Sequence, residues 1–193
     1  MKRIWILTVG LLMVAGGLHA EPAALLDNKA NWEIGGMGSL SAGAASFNGD
    51  FVPQHGSRAQ LILNHTLGIG LASSRFRGLD EYDWQDNKYD MTVESGGIDL
   101  EYYLVPDNLV HGSLYLLIGG GQIVADQEGS TAELKDSFFC IQPQANAEVN
   151  LTSWWRLAAG IGYCFASGVD VVGLDNSDLS GVTANVTMKF GKF

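Results

Sequence analysis

The sequence predicts an all-β fold: an eight-stranded, antiparallel, up-and-down transmembrane β-barrel. Three observations carry that expectation. The chain opens with a secretory signal, its composition is apolar without a later spanning helix, and eight alternating runs are joined by connections of alternating length.

The signal comes first. Lys2 and Arg3 form a positive n-region, Ile4 to Val14 an apolar stretch, and Leu18-His19-Ala20 before Glu21 suits a signal-peptidase site. The apolar stretch is shorter than the ~20 residues a spanning helix needs, so export with cleavage is expected, not an N-terminal anchor. No Cys directly follows the cut, which argues against a lipid anchor. Residues 1–20 are read as signal peptide, 21–30 as a periplasmic lead-in and 31–193 as the barrel. Losing the signal, and Lys2 and Arg3 with it, leaves 173 residues and moves the net charge from −10 to −12. A chain this acidic repels phosphate backbones, which excludes nucleic acid as a partner. With 47% hydrophobic and 17% charged residues, it is also oily for a water-soluble domain of its size. Exported, apolar and without a membrane helix, such a chain points to the other structure that can span a bilayer, a closed barrel.

The strands are read from period-two alternation broken by turn-forming stretches. They are Asn31–Ala45, Ser57–Asn64, Leu67–Phe76, Tyr89–Val105, Leu109–Ala125, Ser137–Leu151, Trp154–Ala166 and Leu179–Phe193. Short connections fall at His65-Thr66, Pro106-Asp107-Asn108 and Thr152-Ser153, and long ones at Ser46–Gly56, Arg77–Lys88, Asp126–Asp136 and Ser167–Asp178. Short periplasmic turns alternating with long external loops are the habit of outer-membrane barrels.

Alternation alone does not separate a membrane barrel from a soluble lipocalin-like one, since both have one apolar face. The other face decides. In the sixth run Phe139, Ile141, Ala145, Val149 and Leu151 alternate with Gln142, Gln144, Asn146, Glu148 and Asn150. In the seventh, Trp155, Leu157, Ile161, Tyr163 and Phe165 alternate with Arg156, Ala158, Gly160, Gly162 and Cys164. The less apolar face carries small and amide side chains where a wetted surface would carry many Lys and Glu, which suits the crowded interior of a narrow barrel. Aromatic girdles are expected at both interfaces. Trp32, Tyr102, Trp154, Trp155 and Phe190 lie at the short-turn end; Phe47, Phe76, Tyr89, Phe138 and Phe165 lie at the long-loop end. Trp155 to Phe165 is about 33 Å of strand, which at a tilt of ~40° crosses about 25 Å, the height of the apolar band in such barrels.

The closing segment Leu179–Phe193 (LSGVTANVTMKFGKF) resembles the last strand of outer-membrane barrels, which commonly end in Phe. The stretch from Phe138 through SGVDVVGLDNSDLSG to Phe193 is similar to a family of small bacterial outer-membrane β-barrel proteins without an assigned activity. Weaker echoes lie at Gly56–Gly70 and Asp107–Gly121. The resemblance implies fold and location, the bacterial outer membrane, and no activity. The apolar phase Val182, Ala184, Val186, Met188, Phe190 is out of step with Phe193, so the final Phe is not expected on the lipid-facing row.

Chemistry-bearing residues are few. If the sixth and seventh strands pair about Thr152, Glu148 faces Arg156 and Cys140 faces Cys164, both pairs inward. Opposed Cβ atoms about 4.5–5.5 Å apart need only slight closure to form a disulfide, which the periplasm permits. A Cys140–Cys164 cross-strand bond is therefore expected, two buried free thiols being the alternative. The inward charges are read as Glu33, Arg58, Asp99, Glu101, Glu148, Arg156 and Lys189, four acids against three bases. Near balance favours a paired network plugging the barrel over an ion path, because eight strands enclose barely more than their own side chains.

The external loops hold Asp50; Asp80, Glu81, Asp83 and Asp86; Asp126, Glu128, Glu133 and Asp136; and Asp170, Asp175 and Asp178. Such carboxylates can take Ca²⁺ or Mg²⁺, but no spacing defines a metal site and solvated acidic loops are the plainer reading. For catalysis only His55, near Ser57, lies on the outer side, and nothing in sequence supplies the oriented partner a general base needs. No cofactor, metal or catalytic residue is assigned. The expected function is a structural or surface-interaction role through acidic loops. A narrow porin or small-solute transporter is the alternative, with a lipid-modifying enzyme behind it. The expected partners are outer-membrane lipids, lipopolysaccharide and the barrel-assembly machinery.

Overall fold

The computed structural model describes residues 33–77, 82–85, 87–127 and 133–193. The residues read as signal peptide and lead-in lie outside the described residues, as do Trp32 and the acids Asp80, Glu81, Asp86 and Glu128.

The strands are β1 (Ile34–Phe47), β2 (Asp50–Leu63), β3 (Leu67–Arg77), β4 (Tyr82–Trp84), β5 (Asn87–Leu104), β6 (Val110–Gln127), β7 (Glu133–Asn150), β8 (Trp155–Ser167) and β9 (Gly181–Lys192). One helical turn, α1 (Asn176–Leu179), precedes β9. Every neighbouring pair is antiparallel; β9 pairs with β1, and β3 with β5, so eight strands close into a barrel with β4 a short flap on β5. Closure leaves no unpaired strand edge, which a bilayer would not tolerate. Cross-strand partners followed from Phe76 once around the wall lead to Tyr103, whose amide donates to Thr66, ten residues back along the chain from the start. That stagger goes with the ~40° strand tilt of closed barrels.

All eight predicted strands are present, and the wall is inside-out relative to a soluble barrel. Leu40, Leu61, Leu71, Ile98, Leu114, Ile161, Phe165 and Val186 are among many large apolar side chains exposed outward, while Asp99, Glu101, Glu148 and Lys189 are fully buried. This overturns the lipocalin-like reading.

Three expectations are corrected. The long loop read at Ser46–Gly56 is a two-residue turn: Asn48 and Gly49 take φ of 48° and 87°, and Phe47 pairs with Asp50. An Asn-Gly turn with both residues at positive φ matches the twist of the strands it joins, so β2 begins seven residues earlier than predicted. The outer aromatic girdle is also misplaced. Phe47, Phe76, Tyr89 and Phe138 have inward parity and form an apolar core with Met91, Val93 and Ile123; only Phe165 of that set faces out. At the short-turn end the girdle is real, with Trp154, Trp155 and Phe190 stacked at centroid distances of 6.0–6.4 Å. The third correction is the β7–β8 register. Asn150, not Glu148, faces Arg156, and Cys140 faces Ala166. The turn is two residues wider than supposed, closed by Leu151 and Thr152 amides on the Trp155 carbonyl.

The interior has two layers. In the long-loop half an apolar core is capped by the β8–β9 connection, whose Val169, Val171, Val172, Leu174 and Leu179 are buried in it. The cap is held by α1, with Asp175 at its N-cap and Asp178 completing a capping box, and by Asn48 N–H donating to Asp178 O at 2.7 Å. In the short-turn half the interior is polar.

Candidate functional site

The polar layer is built from inward positions two apart on successive strands: Arg58 and Gln60 on β2, Asp99, Glu101 and Tyr103 on β5, His111, Ser113 and Tyr115 on β6, Asn146 and Glu148 on β7, Arg156 on β8 and Lys189 on β9. Its centre is Lys189. Its ammonium lies 2.7 Å from Glu101 Oε1 and 2.6 Å from Glu148 Oε1, with all three side chains fully buried. Arg58 Nη1 donates to Glu101 Oε2 at 3.3 Å. Ser113 Oγ lies 2.7 Å from Glu101 and 2.5 Å from Glu148, and Asn146 donates to both Glu101 and Ser113. Tyr103 hydroxyl reaches Gln60 Oε1 and Glu101 Oε2, and Gln60 donates to Asp99 Oδ2 at 2.5 Å. His111 Nε2 is 3.5 Å from Glu148 Oε2. Three cations also use aromatic faces: Arg58 sits 4.5 Å over Tyr115, Arg156 3.9 Å over Phe193 and Lys189 4.9 Å over Tyr103.

Six of the seven residues read as interior charges are thus inside, and five join one network: Arg58, Asp99 (through Gln60), Glu101, Glu148 and Lys189. Arg156 is inside but packs on Phe193 and Tyr103, with no ion pair within 4 Å among the described residues. Glu33 is the exception. It precedes the first residue of β1, so although its parity is inward it lies at the rim, exposed, 2.7 Å from His65 Nε2. His65 Nδ1 is 2.6 Å from the Phe193 carbonyl oxygen. Both ring nitrogens therefore face acceptors, so the ring must donate twice, which only the imidazolium does. The Glu33 carboxylate and the Phe193 carbonyl together raise the His65 pKa above its ordinary value.

Asn146 is on the face the sequence reads as interior, whereas Gln60, Tyr103, His111 and Ser113 are not singled out by the sequence, although each has the parity of the charges it serves. Cys140 and Cys164 are free thiols in the structure, diagonal neighbours on the inward face, since Cys140 stands opposite Ala166. His55 and Ser57 both point outward from β2. Among the described residues, no cluster of three or more His, Cys, Asp or Glu could hold a metal ion. Of the acids read as loop residues, Asp170, Asp175 and Asp178 lie in the β8–β9 connection, while Asp50, Asp83, Asp126, Glu133 and Asp136 stand at strand positions at the same end, because these strands run further out than the alternation predicts.

An apolar outer wall around a buried charged interior defines the class: a transmembrane β-barrel of the bacterial outer-membrane type. The solved structures agree on the fold. The Neisserial surface protein A structure matches with a TM-score of 0.60 at 15% identity over 85% of this chain and 100% of that one. The N-terminal β-barrel domain of Pseudomonas aeruginosa OprF matches at 0.53 and 11% identity over 81% and 96%. A major outer membrane protein from Thermus thermophilus matches at 0.53 and 14% identity over 81% and 98%. No family model matches the chain, and no curated protein matches it in sequence.

Proposed function

We propose that this chain is a structural and surface-interaction protein of the outer membrane that presents acidic external loops and carries out no catalysis. The observation that carries the reading is the filled interior. One half is bolted by the Lys189–Glu101–Glu148 network and the other packed with Phe47, Phe76, Met91 and Phe138 under the β8–β9 cap. Between the layers lie small voids of about 40 Å³ beside Arg58, Gln142 and Gln144 and about 20 Å³ beside Gln54 and Phe138, too small to make a solute path through a barrel of this girth, so its interactions fall to the rims and the outer wall. One fold neighbour is itself named a surface protein. Lipopolysaccharide and other outer-membrane lipids are the partners of the wall, and the barrel-assembly machinery is the partner during biogenesis. Planar-bilayer recording tests the reading: the purified barrel is expected to add no conductance above the lipid background, whereas stable unitary steps would establish the narrow-porin alternative.

A further inference from the structure

The outer wall is not uniformly apolar. On β8 the lipid-facing row from Trp155 to Phe165 is made of aliphatic and aromatic side chains throughout, but on β3 the apolar row runs only from Leu67 to Leu71 before Ser73 and Arg75. Allowing for the strand tilt, Ser57, Ser73, His55 and Arg75 fall between the levels of Ile161 and Phe165, in the outer half of the apolar band. There the wall is recessed. Reading across the register, Ser57, Ser73, Gly96 and Gly120 form a row of four small outward residues on β2, β3, β5 and β6, flanked by Leu40 on β1 and Phe139 on β7. The trough between them is about 14 Å wide from β2 to β6 at the ~4.8 Å strand spacing, and the groove over it encloses about 650 Å³.

Chemistry sorts the residues around this trough by height. The row above it is His55, Arg75, Glu94 and Gln122, directly paired from strand to strand. Arg75 Nε is 3.2 Å from Glu94 Oε1, so the guanidinium keeps its terminal amines for another acceptor. The row below is Ala59, Leu71, Ile98 and Ile118, a plain hydrocarbon face. The Ser57 and Ser73 hydroxyls hydrogen-bond each other at 3.1 Å and Arg75 meets Glu94, but their remaining donors and acceptors would face acyl chains at a cost, so this patch has a cover that meets it with polar atoms above and hydrocarbon below.

We infer that the trough is a binding site for a phosphorylated amino-sugar glycolipid of the outer leaflet, lipid A of lipopolysaccharide. This rests on the outer-membrane reading above and names where that partner sits. The sugar backbone lies on the flat Ser57–Ser73–Gly96–Gly120 floor, a phosphate meets the free guanidinium edge of Arg75 and the His55 ring, and Glu94 accepts from sugar hydroxyl or amide N–H groups. The acyl chains run down over Leu71, Ile98 and Ile118. A donor and an acceptor side by side suit a head carrying both phosphate and N–H or O–H groups better than a simple phosphodiester.

The test uses the mature barrel refolded into phosphatidylcholine nanodiscs doped with purified lipid A, with phosphatidylglycerol as competitor. Retention is read by native mass spectrometry. Wild type is expected to hold lipid A at least tenfold better than phosphatidylglycerol. Arg75→Gln and the double variant Ser57→Leu with Ser73→Leu should each lose that preference; the latter exchanges a hydroxyl pair for hydrocarbon on a lipid-facing wall, and its folding is checked on the mobility gel. Equal retention by all three proteins, or no preference in wild type, overturns the site. So does a stable dimer cross-linking through this face in lipid-A-free discs, since a second copy would then be the cover. The gel mobility of boiled and unboiled samples, run on the same material, reports separately whether a membrane barrel has formed at all.

Discussion

Lys189 Nζ stands 2.6 Å from Glu148 Oε1 inside the barrel, with neither side chain exposed. The lysine is shared with Glu101, so it is the hub that permits two carboxylates to occupy one low-dielectric layer. Removing one partner of a buried ion pair is far worse than removing both, because the survivor keeps its desolvation penalty. Lys189→Met should therefore destabilise the barrel by about 3–5 kcal/mol, read as a lower urea midpoint for unfolding from detergent micelles. Adding Glu148→Gln to that variant should recover part of the loss. Full stability in the single variant would show that the network does not hold the interior.

The rim contact between Glu33 and His65 gives a pH dependence with a definite sign. The folded-state pKa of His65 is raised, so the contact contributes its full stability below the unfolded histidine value near 6.5 and loses it as pH rises through the folded value. Both side chains are well over a third exposed, so solvent screening keeps the contribution under about 1 kcal/mol. NMR titration of the His65 ring should show the raised value, with most of the shift removed in Glu33→Gln.

Two glycines of the wall should respond oppositely to the same change. A Cβ at Gly119 would lie 2.1 Å from the Gly96 carbonyl oxygen and 2.7 Å from Gly97 Cα, backbone that has no room to yield. At Gly38 nothing lies within 4 Å. Gly119→Ala should cost at least the roughly 1–3 kcal/mol of an overpacked site and depress refolding yield on a mobility-shift gel, while Gly38→Ala refolds like wild type.

The two cysteines lie diagonally and unbonded. Alkylation of the folded protein without reductant should leave Cys140, which is buried, unmodified. After unfolding, still without reductant, both should react; a mass showing no alkylation at that stage would mean the diagonal pair is oxidised in the cell.

Much of this molecule is legible in its chain. Along β7 and β8, Gln142 to Asn150 and Trp155 to Phe165 state by strict alternation which face meets lipid, because a strand has only two faces and a barrel assigns each a single solvent. The same parity places Arg58, Asp99, Glu101, Glu148, Arg156 and Lys189 inside. It also bears on Phe47, Phe76, Tyr89 and Phe138, whose inward parity conflicts with an outer aromatic girdle and prevails over it. The short Asn48-Gly49 turn is likewise open to reading from its residue types.

What the chain determines by itself is local: which residues alternate, where turns fall and that the charges are near balance. These follow from backbone geometry and the solvent each face must meet. Only the tertiary structure decides how strands are offset against one another. A shift of two residues preserves every side chain's face, so alternation cannot detect it; yet that shift alone parts Cys140 from Cys164 and Glu148 from Arg156. The closure of all eight strands then selects Lys189, from the far end of the chain, as the residue that meets Glu101 and Glu148. The Ser57–Ser73–Gly96–Gly120 trough has the same origin, since its four residues come from four strands and share a row only through register.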